Sequence, residues 1–177
     1  MAVNTWYATV SGVTFNATPK YMFSIYNNGA KKLKIRRIMF MNYSSGSVTG
    51  VLAAGNVNIY ANMSTTGGTS VTPIPKDTNN TALDSVTVLH SITSLSGGTS
   101  VTIRRWLWST DELAMTATSL DEILNLGCGL TIWDEGYHVA ALQPLTLNNK
   151  ETLIIQATAY SAAAAGVVDI YVEFTSE

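Results

Sequence analysis

Apolar residues recur at every second position through most of the chain, and helical spacing is almost absent. Alternation of this kind marks half-buried β-strands. It appears in Leu33, Ile35, Arg37, Met39 and Met41; in Val57, Ile59, Ala61 and Met63; and in Val86, Val88 and Ile92. It returns in Val101, Ile103 and Leu107, in Leu153, Ile155 and Ala157, and in Ile170, Val172 and Phe174. Further strands are expected at Trp6 to Val13, Tyr21 to Tyr26, Leu130 to Trp133 and Ala141 to Leu147, about ten in all. In the third segment the even positions change from Lys32, Lys34 and Arg36 to Ile38 and Phe40. That pattern predicts a strand that starts with one wet face and ends buried on both.

One helix is expected, Ser119 to Leu126, where Ser119 and Glu122 form a capping box and Gly127 sits at the left-handed C-terminal position. Turn signals separate the strands at Asn27-Asn28-Gly29, Ser44-Ser45-Gly46, Thr66-Gly67-Gly68, Ser96-Gly97-Gly98 and Asn148-Asn149-Lys150. The string Gly-Gly-Thr-Ser-Val-Thr occurs twice, at Gly67 to Thr72 and at Gly97 to Thr102. Two copies are too few for a solenoid and read as hairpin-like turns feeding strands. No linker interrupts the pattern, so residues 1–177 form one domain, an all-β antiparallel β-sandwich of jelly-roll type with one short helix.

Composition sharpens this picture. Charged residues are 12% of the 177, about half the usual share, and 23 Thr, 16 Ser, 13 Asn and 13 Gly carry the polarity instead. A charge-poor, apolar-rich surface favours life in an oligomer, most simply a homotrimer. The single Cys128 excludes a disulfide framework and a thiolate metal cluster. The opening Met1 to Val10 lacks the basic start of a secretory signal and reads as mature protein. No apolar stretch approaches the length of a membrane helix, about 20 residues.

The net charge of −2 conceals a segregation: residues 1–76 hold seven bases and no acid, whereas residues 77–177 hold three bases and all twelve acids. Two readings follow. Basic and acidic strands become neighbours in one fold, or the protomer is dipolar and its basic row Lys32, Lys34 and Arg36 faces an acidic partner surface.

Reactive groups are sparse. His90 alternates with Val88 and Ile92 and reads as a sheet histidine; His138, in Trp133-Asp134-Glu135-Gly136-Tyr137-His138, matches no zinc spacing. The doublets Asp111-Glu112, Asp121-Glu122 and Asp134-Glu135 suit solvated turns and a helix start, since neighbours on a strand point to opposite faces. Gly46-Ser47-Val48-Thr49-Gly50 places its serine one position early for a nucleophile elbow, and neither a phosphate loop nor a dinucleotide fingerprint occurs. The expectation is a protein without catalytic residues, metal or cofactor. Arg104-Arg105-Trp106-Leu107-Trp108 stands out. On a strand Arg104, Trp106 and Trp108 share a face, either filling the core with the arginines at its rim or forming an intersubunit surface, with glycan or nucleic-acid contact a further reading. The acidic balance argues against nucleic acid.

The run Val139-Ala140-Ala141-Leu142-Gln143-Pro144-Leu145-Thr146-Leu147-Asn148-Asn149-Lys150-Glu151-Thr152-Leu153-Ile154-Ile155, with the strand Val167 to Phe174, resembles the closing strands of jelly-roll decoration (cement) proteins of tailed bacteriophage capsids. Thr65 to Pro73 with Asp77, and Ile35-Arg36-Arg37-Ile38 ending at Asn42, are similar to the same group. The resemblance implies a virion structural protein, made in the host cytoplasm, often trimeric, bound to the shell of major capsid proteins without catalysis, nucleic acid or membrane. The partner-interface candidates are Lys32, Lys34, Arg36, Arg104, Trp106 and Trp108. The alternative is a receptor- or carbohydrate-binding module of a tail fibre, with Trp133, Tyr137 and His138, or Trp106 and Trp108, as aromatic platforms.

Overall fold

The computed structural model describes residues 4–15, 18–42, 51–79, 83, 85–110, 130–135, 144–159 and 166–177. They form twelve strands: β1 (Thr5–Phe15), β2 (Lys20–Asn27), β3 (Leu33–Asn42), β4 (Val51–Thr66), β5 (Thr69–Val71), β6 (Ile74–Pro75), β7 (Val86–Ile92), β8 (Ser94–Thr110), β9 (Leu130–Asp134), β10 (Thr146–Leu147), β11 (Glu151–Ala159) and β12 (Gly166–Ser176). Each of the ten expected strands has a counterpart here, and β5 and β6 are two short additions. The expected helix at Ser119 to Leu126 lies outside the described residues. Among the described residues no helix is long and apolar enough to cross a membrane.

Eight strands carry the architecture, in nested antiparallel pairs. β1 pairs β12, β2 pairs β11, β3 pairs β9 and β4 pairs β8. Pairing first with last, second with next to last, and so inward is the connectivity of one long hairpin rolled into two sheets, a jelly roll. One sheet runs β6-β1-β12-β3, with β9 and β10 both on the far edge of β3; the other runs β5-β7-β2-β11-β4-β8. Their inner faces interdigitate through Trp6, Phe15, Ile38, Phe40 and Phe174 on one side and Phe23, Ile25, Val57, Trp106, Leu153 and Ile155 on the other. Phe40 and Trp106 meet edge to face at 4.8 Å, so an aromatic contact ties β3 to β8 across the core.

The change of phase in β3 has a simple cause. Arg37 pairs Glu173 and Ile35 pairs Phe174, which leaves Arg36 as the extra residue of a β-bulge. Leu33 and Ile35 point inward before the bulge, Ile38 and Phe40 after it, all fully buried, while Met39 and Met41 stay half-buried. The strand does not become buried on both faces, as its alternation suggested. It keeps one core face and switches parity, which brings Arg36 and Arg37 together on the outside.

A second departure from simple alternation covers the outward face of the β2-containing sheet. β4 pairs β11 as far as Ala61 opposite Glu151, which pairs Asn27, which pairs Val86. Ala61 and Val86 therefore stand at one end of the sheet and Ile92 at the other. Yet Thr66, five residues beyond Ala61, accepts the backbone N–H of Thr93 at 3.1 Å. Five extended residues span about 17 Å, short of the roughly 25 Å flat diagonal of the four strands β7-β2-β11-β4, so the sheet must be twisted strongly enough to bring its opposite corners together. The other sheet fills the inner face, so the ribbon of residues 62–66 and 94–98 crosses the outer one as a strap.

Burial supports this path. Ile154 points away from the main core yet is 0% exposed, and Ser24, Asn58 and Thr152 on the same outward face are buried with it. Met63 and Ile92 are likewise buried apart from the central cluster. Where the strap bends off the sheet, Asn62 and Gly98 stand opposite each other, both in the left-handed region of positive φ that glycine enters without strain. Both Gly-Gly-Thr-Ser-Val-Thr strings thus mark bends of one ribbon. The first turns the chain into β5, as expected; the second lies inside β8 and is a bend within a strand, not a turn between strands.

Candidate functional site

The basic row and its acidic counterparts meet on the outer face of the β3-containing sheet. Register alone sets up the line: Tyr7 stands opposite Glu173, Glu173 opposite Arg37 and Arg37 opposite Asp134. Arg37 reaches Asp134 at 2.8 Å and Lys76, just past β6, reaches Glu173 at 2.6 Å. The bulged Arg36 bonds Glu135 at 2.8 Å and lies 3.6 Å from Glu177, which also accepts from Lys34. Tyr171, stacked on Tyr7 with ring centroids 5.8 Å apart, donates its hydroxyl to Glu173.

Protonation follows this geometry. The Lys34 ammonium bonded to Glu177 holds that carboxyl below its ordinary range. The bond to Glu173 raises the Lys76 ammonium, with burial opposing, and burial first and the Glu173 bond second raise the Tyr171 hydroxyl. Half-exposed pairs of this kind contribute about 0–1 kcal/mol each. Their larger effect is to cancel the field of the row, because every acid involved comes from the acid-rich second half of the chain. Basic and acidic strands are neighbours in one fold.

Two shallow clefts flank this face. One, of about 460 Å³, has Arg36, Arg37 and Lys76 on its walls facing Asp134, Glu135 and Glu173. The other, of about 600 Å³, is lined by Lys32, Lys34, Trp133, Leu145, Thr146 and Asn148, with Pro144 beside them. Among the described residues no carboxylate lines this second cleft and the Lys32 side chain makes no ion pair.

The interface candidates thus separate. Lys34 and Arg36 are engaged within the protomer, and Lys32 is exposed. On β8, Arg104 and Arg105 are exposed, while Trp106 is buried in the core with its Nε1–H unpartnered among the described residues. Trp108 stands on β8 opposite Ala53, its side chain outside the described residues. A bulge at Ile103, extra between Thr102 and Arg104, breaks the alternation of Val101, Ile103 and Leu107. Val101 and Leu107 are each 59% exposed and Ile103 half-buried. The β8 edge away from β4 has no partner strand among the described residues.

Of the remaining reactive groups, His90 is half-buried on β7, its Nδ1 3.1 Å from Ser91 Oγ, and burial lowers its pKa. The doublet Asp134-Glu135 serves the two arginines. His138, Tyr137, Cys128 and the doublets at residues 111–112 and 121–122 lie outside the described residues. Among the described residues no group of three or more His, Cys, Asp or Glu side chains gathers as metal ligands. Sequence reasoning missed Glu177, Lys76 and Glu173 as partners and the cleft beside Trp133; the unequal charge of the two halves was the signal for the first three. No protein-family model, curated protein or solved structure matches the chain.

Proposed function

We propose that the protein is a virion structural subunit, a decoration or cement protein that binds the exterior of a bacteriophage capsid and self-associates as a trimer. The β8 edge carries this reading. A seventeen-residue strand whose far side has no partner strand among the described residues is a template for association with another chain. Val101 and Leu107 beside it add apolar surface that water covers at a cost, and Arg104 and Arg105 add positive charge suited to an acidic shell. The jelly-roll connectivity and the resemblance of Val139 to Ile155 and Val167 to Phe174 to capsid decoration proteins agree with it.

The test is occupancy of phage particles stripped of their decoration layer, comparing the parent with Leu107→Glu and with Arg104→Glu plus Arg105→Glu. The expected result is saturable binding by the parent and loss of occupancy in both variants, the charge variant responding more weakly to salt. Parent protein that fails to bind, or variants that bind as well as the parent, would overturn the proposal.

A further inference from the structure

We propose that the outer face of the β3-containing sheet docks on the same face of a second copy of the chain, across a two-fold axis that runs between β12 and β3. This surface is separate from the β8 edge and does not depend on the capsid reading. Two registered rows carry the inference. In the first, the charged groups of Lys76, Glu173, Arg37 and Asp134 alternate in sign across the sheet: Lys76 reaches Glu173, Glu173 stands opposite Arg37, and Arg37 stands opposite Asp134. In the second, Thr9, Tyr171, Met39 and Thr131 stand opposite one another in turn and carry no charge. On β12 and β3 the rows lie two residues apart, so both face outward. Thr9, Arg37, Lys76 and Thr131 are exposed, and Tyr171 and Met39 are half-buried.

The order of the charges selects the partner. A line of four alternating charges is antisymmetric about its midpoint, so a half-turn about an axis lying in the interface along the strands brings plus over minus at every position. Glu173 of each copy then lies over Arg37 of the other, and Lys76 over Asp134. The same half-turn sets Tyr171 over Met39, an aromatic–thioether contact, and Thr9 over Thr131, a hydroxyl pair. Both rows therefore share one axis. A uniformly acidic or basic partner would meet repulsion at half of the charged positions, whereas the chain's own face meets none along this line. Because the charges also cancel within the protomer, they fix register more than they attract from a distance. Four strands about 4.8 Å apart over about nine residues present roughly 600 Å² per copy. A pair then buries about 1,200 Å², enough for a stable if modest interface, and aligned stacking is an ordinary way for two sheet faces to pack.

Sedimentation velocity of the full chain over a micromolar concentration series tests this. The background is Leu107→Glu, which disables the β8 edge, so that failure of the trimer reading and failure of this one are told apart. That chain is expected to form dimers. Adding Arg37→Glu sets two pairs of carboxylates against each other across the axis, and adding Glu173→Lys sets two pairs of cations. Each should weaken pairing by about tenfold or more. An equimolar mixture of the two should pair again, because each new charge then faces its opposite. Met39→Glu, which leaves the charged row intact and puts a carboxylate against Tyr171, should also weaken pairing, and thermal unfolding checks that every variant is folded. The inference is overturned if the Leu107→Glu chain stays monomeric throughout the series, if either folded charge variant pairs as tightly as its background, or if the two fail to pair when mixed. Where a charge variant does not fold, Met39→Glu decides, and unchanged pairing there overturns the inference.

Discussion

Truncating Ile154 to alanine separates the strapped sandwich from an ordinary two-layer one. In an ordinary sandwich the outward side chain of a strand such as β11 meets water, and its truncation changes stability by less than about 0.5 kcal/mol. Here Ile154 is 0% exposed although its neighbours Leu153 and Ile155 point the other way into the main core. Removing its three outer carbons forfeits about 2.4 kcal/mol of transfer energy at ~0.8 kcal/mol each. The strap cannot collapse freely, because it is pinned at Ala61 on β11 and at Thr66 on Thr93. A cavity term therefore adds, and the total falls at about 2–5 kcal/mol. For a chain of this size that is a fall in melting temperature on the order of 6–15 °C. Urea unfolding of the parent, Ile154→Ala and Leu107→Ala measures it, with the exposed Leu107 as control for losing an aliphatic side chain. A change for Ile154→Ala no larger than that for Leu107→Ala would refute the strap.

Gly55 stands opposite Ala157 on one side and Trp106 on the other, where a Cβ would overlap the Gln156 carbonyl oxygen and the Trp106 indole. Gly55→Ala should cost about 1–3 kcal/mol or more in thermal unfolding, and unchanged stability would refute the close approach. Trp106→Phe keeps a ring against Phe40 and removes a buried N–H without a partner among the described residues. In urea unfolding it should cost at most about 1.5 kcal/mol, whereas Trp106→Ala should cost about 3–5 kcal/mol; equal losses would count against the packing role of the ring. Glu177 has its folded pKa below its unfolded one, so its contribution to stability is present above the unfolded value and is lost as pH falls through the folded one. Denaturation midpoints measured across the acid range should therefore decline less steeply for Glu177→Gln than for the parent, and parallel curves would count against the Lys34 bond.

Strand identity was legible in the chain because a strand's two-residue period is written locally: Leu153, Ile155 and Ala157, or Ile170, Val172 and Phe174, face the core as their alternation says. The sandwich class followed from many such segments with turn chemistry between them. The complementary charges of the two halves showed that cations and carboxylates were available to pair. What alternation could not show was where it breaks. The bulges at Arg36 and Ile103 are each one extra residue opposite one partner, and an insertion exists only relative to a second strand that lies far away in the chain. For the same reason the pairing of Arg36 with Glu135, ninety-nine positions apart, waited on β9 lying beside β3. The outward burial of Ile154 has no local signal at all, because a residue between two core residues reads as solvent-facing until another part of the chain crosses over it. Local sterics and hydrophobic period thus decided which segments are strands, while register, bulge and strap, being relations between distant segments, were decided by packing in three dimensions.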